Sequence, residues 1–286
     1  MKRFFIVTNR DKDPELLVTK EIEGRLREGG ASFSTWVSEG RREGSWHYVD
    51  PKAVPEGTDC LLVLGGDGTL LQAARDTVHL SIPLAGVNLG HLGFLAEVDT
   101  SGIRPALEKL LSDDFEIDER MMLSGQVFRG EEKIGESIAL NDIVITREGR
   151  IRVIQFDNYV NGEFLNSYNA DGIIVSTATG STGYSLSVGG PIVSPNAKLV
   201  LLSALAPHTL NTRTIVFPPE DVIRVAIGAG RHGKEESCVA SFDGDYSVQM
   251  VSGDRIEITR AQSMVRIVKL SHLSFVEVLR RKLARS

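Results

Sequence analysis

Leu61-Leu62-Val63-Leu64-Gly65-Gly66-Asp67-Gly68-Thr69-Leu70-Leu71 is the stretch whose reading decides the fold of this chain. An apolar, β-prone run ends in three glycines wrapped around one carboxylate, and a second apolar segment follows. The pattern is that of a buried parallel strand, a tight turn and the start of a helix. Gly65, Gly66 and Gly68 carry no Cβ, so a ligand can approach the backbone closely. The helix start behind the turn offers unpaired N–H groups and the positive end of a dipole, both suited to phosphate. Asp67 repels phosphate, and a purely structural turn beside an anion site has no need of it. It therefore reads as a base, a ligand on the metal side or a hydroxyl acceptor. An ordinary Asp-Gly turn is the competing reading.

The flanking sequence extends this unit in both directions. Residues 4–8 read as a first strand. Asp13-Pro14-Glu15 is a helix-start signal, Val18, Ile22 and Leu26 recur every four residues, and Gly29-Gly30 ends the helix. A second strand is expected over 31–37, followed by a surface connection over 38–58 with a short strand at 46–49. After the Asp67 turn, a helix runs to about Val78, a strand covers 82–87, and Asn88-Leu89-Gly90-His91-Leu92-Gly93-Phe94-Leu95 closes it. This β–α–β–α–β order predicts an open, largely parallel sheet with helices on both faces. Ligands of such sheets bind outside the strand C-termini, so the Asp67 turn and the loop over 88–93 are expected to face one crevice.

Past a helix at 101–111 the texture changes. Short β-rich runs at 121–128, 138–146, 152–160, 172–176, 198–202, 214–217, 222–227, 239–242, 255–259 and 264–269 alternate with Gly, Asn, Asp and Pro turns. They predict a sandwich of antiparallel sheets. The domain plan is thus an α/β domain over 1–98, a β-rich domain over 99–270, and a C-terminal helix over 271–286 packing back on the first domain. That helix has apolar Val276, Leu279 and Leu283 and a basic last turn, which complements its dipole.

The 286 residues are 42% hydrophobic and 24% charged, an ordinary soluble composition with ample core. A formal net charge of −6 argues against a general nucleic-acid binder. No apolar run reaches the roughly 18 residues of a membrane span, and the N-terminus has no signal-peptide pattern, so a cytoplasmic protein is expected. Cys60 and Cys238 form no metal pattern, and Cys60 reads as a buried free thiol.

Two further stretches carry chemistry. In Asn169-Ala170-Asp171-Gly172-Ile173-Ile174-Val175-Ser176-Thr177-Ala178-Thr179-Gly180-Ser181-Thr182-Gly183-Tyr184-Ser185-Leu186-Ser187-Val188-Gly189-Gly190-Pro191, a β-branched strand runs into small, hydroxyl-bearing residues. Free backbone N–H groups and neutral hydroxyls make this a phosphate cradle, or else a Ser/Thr/Gly-rich loop with a helix cap. It is not a P-loop. Tyr184 reads either as a core residue or as a base-stacking one. In Leu140-Asn141-Asp142-Ile143, an amide and a carboxylate interrupt a strand. The pair can read the edge of a nucleobase, or form an Asx turn.

Taken together, Gly65-Gly66-Asp67-Gly68-Thr69, Asn88 to Leu95, Asn141-Asp142, and Asp171-Gly172 through Thr179-Gly180-Ser181-Thr182 to Gly189-Gly190 resemble the bacterial NAD kinase family, in the family's order. The resemblance implies phosphoryl transfer from ATP to the 2′-hydroxyl of the adenosine ribose of NAD, with a divalent metal, normally Mg²⁺. It implies that Asp67 accepts the proton of the attacking hydroxyl and that Gly65, Gly66, Gly68 and Thr69 face ATP phosphate. Gly68 would also approach NAD. Asn141 and Asp142 would hold the adenosine portion, Asp171 would lie near the nicotinamide end, and Thr179, Thr182, Gly183, Tyr184 and Ser187 would line NAD. Arg152 falls at a position where the family often has a basic ligand residue. Ala178, Gly183 and Asn169 depart from the family's usual proline, alanine and arginine. The family is commonly oligomeric through its β-rich domain, so a homodimer or homotetramer is implied. A diacylglycerol-type lipid kinase and a non-catalytic dinucleotide-binding regulator are the alternatives.

Overall fold

The structure is a computed structural model that describes residues 1–38, 47–90, 93–149, 153–209, 212–230, 233–270 and 274–284. The chain forms two compact units, residues 1–120 with 264–286, and residues 121–263.

The first unit starts with β1 (Arg3–Asn9), α1 (Leu17–Glu28), β2 (Ser32–Ser38), β3 (Cys60–Gly65), α2 (Asp67–Thr77), β4 (Leu84–Asn88), β5 (Val98–Asp99) and α3 (Ile103–Leu111). Its strands pair in the order β2-β1-β3-β4, all parallel, with Phe4 opposite Cys60 and Leu61 opposite Leu84. Every residue of β3 is buried, which is why it reads as an unbroken apolar run rather than an alternating one. Cys60, Leu62 and Leu64 pack with Ile22 and Leu26 of α1 and with Ile103, Leu107 and Leu110 of α3. α2 packs against β3 and β4. The strand order reverses between β1 and β3, so their C-terminal ends flank a switch point of the kind where α/β sheets bind ligands. There Asn9 Nδ2 donates to Thr69 Oγ1 at 3.2 Å, tying the two ends together.

The second unit begins within β6 (Glu116–Arg129) and continues through β7 (Glu132–Ala139), β8 (Asp142–Arg147), β9 (Ile154–Val160), β10 (Glu163–Ala170), β11 (Gly172–Thr177), α4 (Tyr184–Ser187), β12 (Val200–Leu205), β13 (Ile215–Phe217), β14 (Ile223–Ile227), β15 (Ser237–Phe242), β16 (Tyr246–Val251) and β17 (Arg255–Lys269). One antiparallel sheet runs β13-β12-β11-β8-β15-β16, and a second layer contains β10-β9-β14-β17. Their inner faces share one core, in which Ile143, Val175, Leu202 and Phe242 from the first sheet meet Phe156, Val225 and Ile256 from the second. This is the expected sandwich.

The chain then re-enters the first unit, where Ile267 of β17 lies parallel to Leu84 of β4. It ends in α5 (Phe275–Leu283). Ser274 and Glu277 form a capping box at the start of α5, with the Glu277 N–H donating to Ser274 Oγ at 3.2 Å. The Phe275 ring lies 6.3 Å from the ring of Phe94, and Lys282 Nζ lies 4.3 Å from that ring's centroid.

Several expectations shift. The first unit extends to residue 120 rather than closing near 98, because the apolar face of α3 is buried in its core. α1 starts at Leu17, after a left-handed Leu16, rather than at Pro14. Asp13 still caps it from a distance, accepting from the Thr19 N–H at 2.9 Å and the Thr19 hydroxyl at 2.7 Å. Residues 47–49 form no strand; the N–H groups of Tyr48 and Val49 donate instead to buried Asp76 of α2, and residue 46 lies outside the described residues. The run over 138–146 is two strands, and the runs at 255–259 and 264–269 are one. β10 and β16 were not anticipated. Each lies at the edge of its sheet, and β10 is largely solvent-exposed, so neither needs a strong apolar pattern. Cys60 and Cys238 are buried and free, and burial pushes each thiol up to about 12.

Gly86 of β4 is packed tightly against both a side chain and the backbone. A Cβ there would lie 2.6 Å from Leu70 Cδ1 and 2.9 Å from the Ala96 backbone. Gly86→Ala is expected to lose about 1–3 kcal/mol of stability through overpacking, measured by urea unfolding.

Candidate active site

In the first unit the site is built where β3 turns into α2. Gly65 is required by packing, since a Cβ would lie 2.3 Å from Thr69 Oγ1. Gly66 and Gly68 are different. A Cβ at either would meet nothing within 4 Å, so their lack of a side chain leaves backbone open to an incoming group. Asp67 is the first residue of α2. Its Oδ2 accepts the Phe94 N–H at 2.7 Å, and its Oδ1 accepts those of Leu95 and Ala96, each at 3.2 Å. Gly93 presses on the same carboxylate, where a Cβ would stand 1.8 Å from Oδ1.

This corrects the argument that the turn has no structural use for a carboxylate: Asp67 fastens the segment over 94–96 to the start of α2. It does not exhaust the group. An ionised carboxylate offers about four acceptor positions, and three N–H groups leave one, on Oδ2, for a further donor. The ends of β3 and β4 are joined by the Leu89 N–H donating to the Gly65 carbonyl at 2.8 Å, and the Gly90 N–H donates to Asn88 Oδ1 at 2.8 Å. His91 and Leu92 lie outside the described residues.

In the second unit, strand register assembles the other candidates. β8 pairs with β11 so that Asp142 faces Ser176, and β15 pairs with β8 so that Phe242 faces Ile143. The residue after β15, Asp243, is left-handed at φ 50°. Its carboxylate accepts the N–H groups of Leu140, Asn141 and Asp142 at 2.7, 2.8 and 3.1 Å. From the other side, the Thr177 hydroxyl donates to the Leu140 carbonyl at 2.6 Å and the Thr177 N–H to the Asn141 carbonyl at 2.9 Å. The strand interruption is thereby held rigid. Gly180 packs flat on it, since a Cβ would lie 2.1 Å from the Asn141 carbonyl. A Cβ on Gly183 would lie 3.5 Å from Asn141 Nδ2 and 3.7 Å from Asp142 Oδ2. Thr182 Oγ1 donates to the carbonyl of buried Thr179 at 3.3 Å.

Asn141, Asp142, Thr179, Thr182, Gly183 and Tyr184 are therefore brought together. Tyr184 is 42% exposed, which excludes the core reading, and Ser187 is exposed at the end of α4. Asn141 Oδ1 is buried and has no hydrogen-bond partner among the described residues, an acceptor in need of a donor. Asp142 is only 6% exposed. Burial, reinforced by the Asp243 charge and opposed by the Tyr184 N–H, pushes its carboxyl up to about 7.

Asp171 is not part of this cluster. It precedes β11 at the end opposite Asp142 and is paired with Arg147, Nε to Oδ1 at 2.7 Å. Arg152 lies outside the described residues. Sequence reasoning missed Asp243, whose only signal is Asp243-Gly244-Asp245 between two strands. It also missed the amides of 94–96, which carry no side-chain signal at all. Among the described residues, no group of three His, Cys, Asp or Glu side chains could hold a metal ion.

The Asp142 carboxyl makes stability depend on pH. Its ordinary value is 3.8, so between about 4 and 7 the folded chain holds a proton that the unfolded chain releases. Stability is therefore lost as pH rises through that window. Asp142→Asn cannot titrate, so the balance is expected to move toward the variant by on the order of 2–3 kcal/mol from pH 5 to pH 8, read by urea unfolding at both.

Comparison with known proteins covers both units. Residues 7–115 match the ATP-NAD kinase N-terminal domain, and residues 140–270 match the ATP-NAD kinase C-terminal domain. An NAD kinase of Lachnospira eligens is 48% identical over 99% of this chain and 100% of its own length. A yeast NADH kinase solved with NADH superposes with a TM-score of 0.86 at 23% identity, over 99% of this chain and 88% of that one. An NAD kinase from Archaeoglobus fulgidus solved with ATP gives 0.77 at 22% identity, over 98% of each chain. With the glycine turn, the held Asn141-Asp142 step and the hydroxyl-rich loop all in place, and with a close relative matched end to end, this chain belongs to the NAD kinase family.

Proposed function

We propose that the chain transfers the terminal phosphoryl group of ATP to the 2′-hydroxyl of the adenosine ribose of NAD, giving NADP and ADP. The observation that carries the reading is the remaining acceptor position on Asp67 Oδ2, at the start of a helix whose flanking Gly66 and Gly68 are open. The helix start attracts phosphate, while the carboxylate repels it and attracts a hydroxyl. A site that needs an anion and a hydroxyl side by side has use for both. The attacking oxygen forms its bond to the terminal phosphorus as the bond to the ADP oxygen breaks, and the hydroxyl proton passes to Asp67 Oδ2. Because such transfer rests on positioning and charge stabilisation, the glycine turn's contribution is a fixed set of backbone dipoles.

In the second unit, the orphan Asn141 Oδ1 suits the exocyclic amino group of adenine. Asp142, titrating near neutrality, suits a neighbouring ring nitrogen, and the exposed Tyr184 ring suits the base face. Thr179, Thr182, Gly183 and Ser187 complete the lining, with Asp171 toward the nicotinamide end and Arg152 as a further basic contact. Gly65 and Thr69 hold the shape of the turn from which Gly66 and Gly68 meet ATP. Mg²⁺ would enter with ATP, held chiefly by the phosphates, as substrate. We place the protein in the cytoplasm; no described helix is long and apolar enough to cross a membrane. A homodimer or homotetramer through the β-rich unit is supported by the edge strand β10, where Phe164 is 60% exposed.

Asp67→Asn is expected to lower NADP formation from ATP, Mg²⁺ and NAD by about 10²–10⁴-fold in a folded protein. Near-normal turnover would sink the role given to Asp67. Tyr184→Ala is expected to raise KM for NAD roughly tenfold with kcat little changed, the signature of a lost stacking contact.

A further inference from the structure

We propose that α5 is a positioning element for Asp67 and acts through Phe94. Phe94 has two jobs on one residue. Its N–H makes the shortest of the three bonds to the Asp67 carboxylate, 2.7 Å to Oδ2, the oxygen with the vacant acceptor position. Its ring is gripped by α5, with Phe275 at 6.3 Å on one contact and the Lys282 ammonium at 4.3 Å on another. Phe275 and Lys282 are seven residues apart, so they lie on the same helix face about two turns apart. Between them they define where along the helix the Phe94 ring sits. The capping box at Ser274 fixes where α5 begins, and Phe275 is its first residue.

The segment over 93–97 has no helix or strand of its own, so its backbone is located by its contacts. There is little slack in them. Gly93 already lies so close to Asp67 that a Cβ would overlap Oδ1, and Ala96 abuts Gly86. A change in how α5 holds the Phe94 ring must therefore be felt at the carboxylate. Val276, about a third of a turn away from that face, has no such role, since it is 70% exposed. Neither matched domain reaches α5, because the second ends at residue 270. The assignment thus adds a positioning element beyond the two matched domains. It rests on the reading that Asp67 acts on the substrate hydroxyl.

The test uses the full chain with Phe275→Ala, Phe275→Tyr, Lys282→Met and, as control, Val276→Ala. NADP formation is followed together with amide hydrogen exchange at 94–96 and at 62–64 in β3. Phe275→Ala is expected to lower kcat by roughly ten- to a hundredfold with KM for NAD nearly unchanged, the scale of a small misplacement of a reacting group. It should also speed exchange at 94–96 while leaving β3 protected. Lys282→Met should do the same to a smaller degree, Phe275→Tyr should restore both readouts, and Val276→Ala should match the parent. Unchanged kcat and unchanged exchange at 94–96 in Phe275→Ala and Lys282→Met overturn the proposal. So does loss of protection in β3 to the same extent, which marks general destabilisation. If the parent chain itself makes no NADP, the kinase reading falls. Exchange at 94–96 then still decides whether α5 holds the Phe94 segment on Asp67.

Discussion

The clasp between the Asp67 carboxylate and three consecutive backbone amides, those of Phe94, Leu95 and Ala96, is the constraint on which the rest of the first unit's site depends. Hydrogen bonds from N–H groups to a charged acceptor contribute about 1.5–3 kcal/mol each. Three of them on one side chain fix its rotamer and also fix the path of an irregular segment that leads away from β4. The glycine turn sets the position of Asp67, Asp67 sets the segment, and the segment closes over Gly86. Without the carboxylate, three amide groups would need other partners.

The second unit uses the same device. Asp243 accepts the amides of Leu140, Asn141 and Asp142, again three in a row. Here the clasped segment carries the candidate recognition groups, and the clasping residue stands behind them. The arrangement also explains the elevated carboxyl of Asp142. Its backbone is pinned beside a second carboxylate in a buried place, so ionisation is opposed by both desolvation and repulsion. One motif thus serves two ends: in the first unit the clasping side chain is the reactive one, in the second it is the scaffold.

Much of this was legible in the sequence. The continuous apolar character of β3, the glycines after it and the β–α alternation specify a parallel sheet by simple physics, and turn punctuation at short intervals specifies the sandwich. Asn141 and Asp142 stand out because polar residues interrupt a strand where packing alone would prefer otherwise, Gly183 stands out only through the family resemblance of its loop, and the three do converge. What was not legible depends on partners remote in sequence. Asp243 is about a hundred positions from the amides that it holds. The amides of 94–96 belong to backbone, which no residue type advertises. The edge strands β10 and β16 were missed because an edge needs little burial. Asp171, which the resemblance assigns to the nicotinamide end and not to the adenosine portion, is separated from Thr179 by the whole of β11 and lies at that strand's other end.

The contrast among the three glycines of the turn has a bearing on how such a site can change over time. At Gly65 a methyl group would strike Thr69, whereas at Gly66 and Gly68 it would enter empty space. Folding therefore polices the first position and is indifferent to the other two, where any restriction must come from what the protein binds. Adjacent positions of one turn are thus answerable to different selective pressures. A lineage released from the need to bind phosphate there would be free to fill the second and third while still having to keep the first.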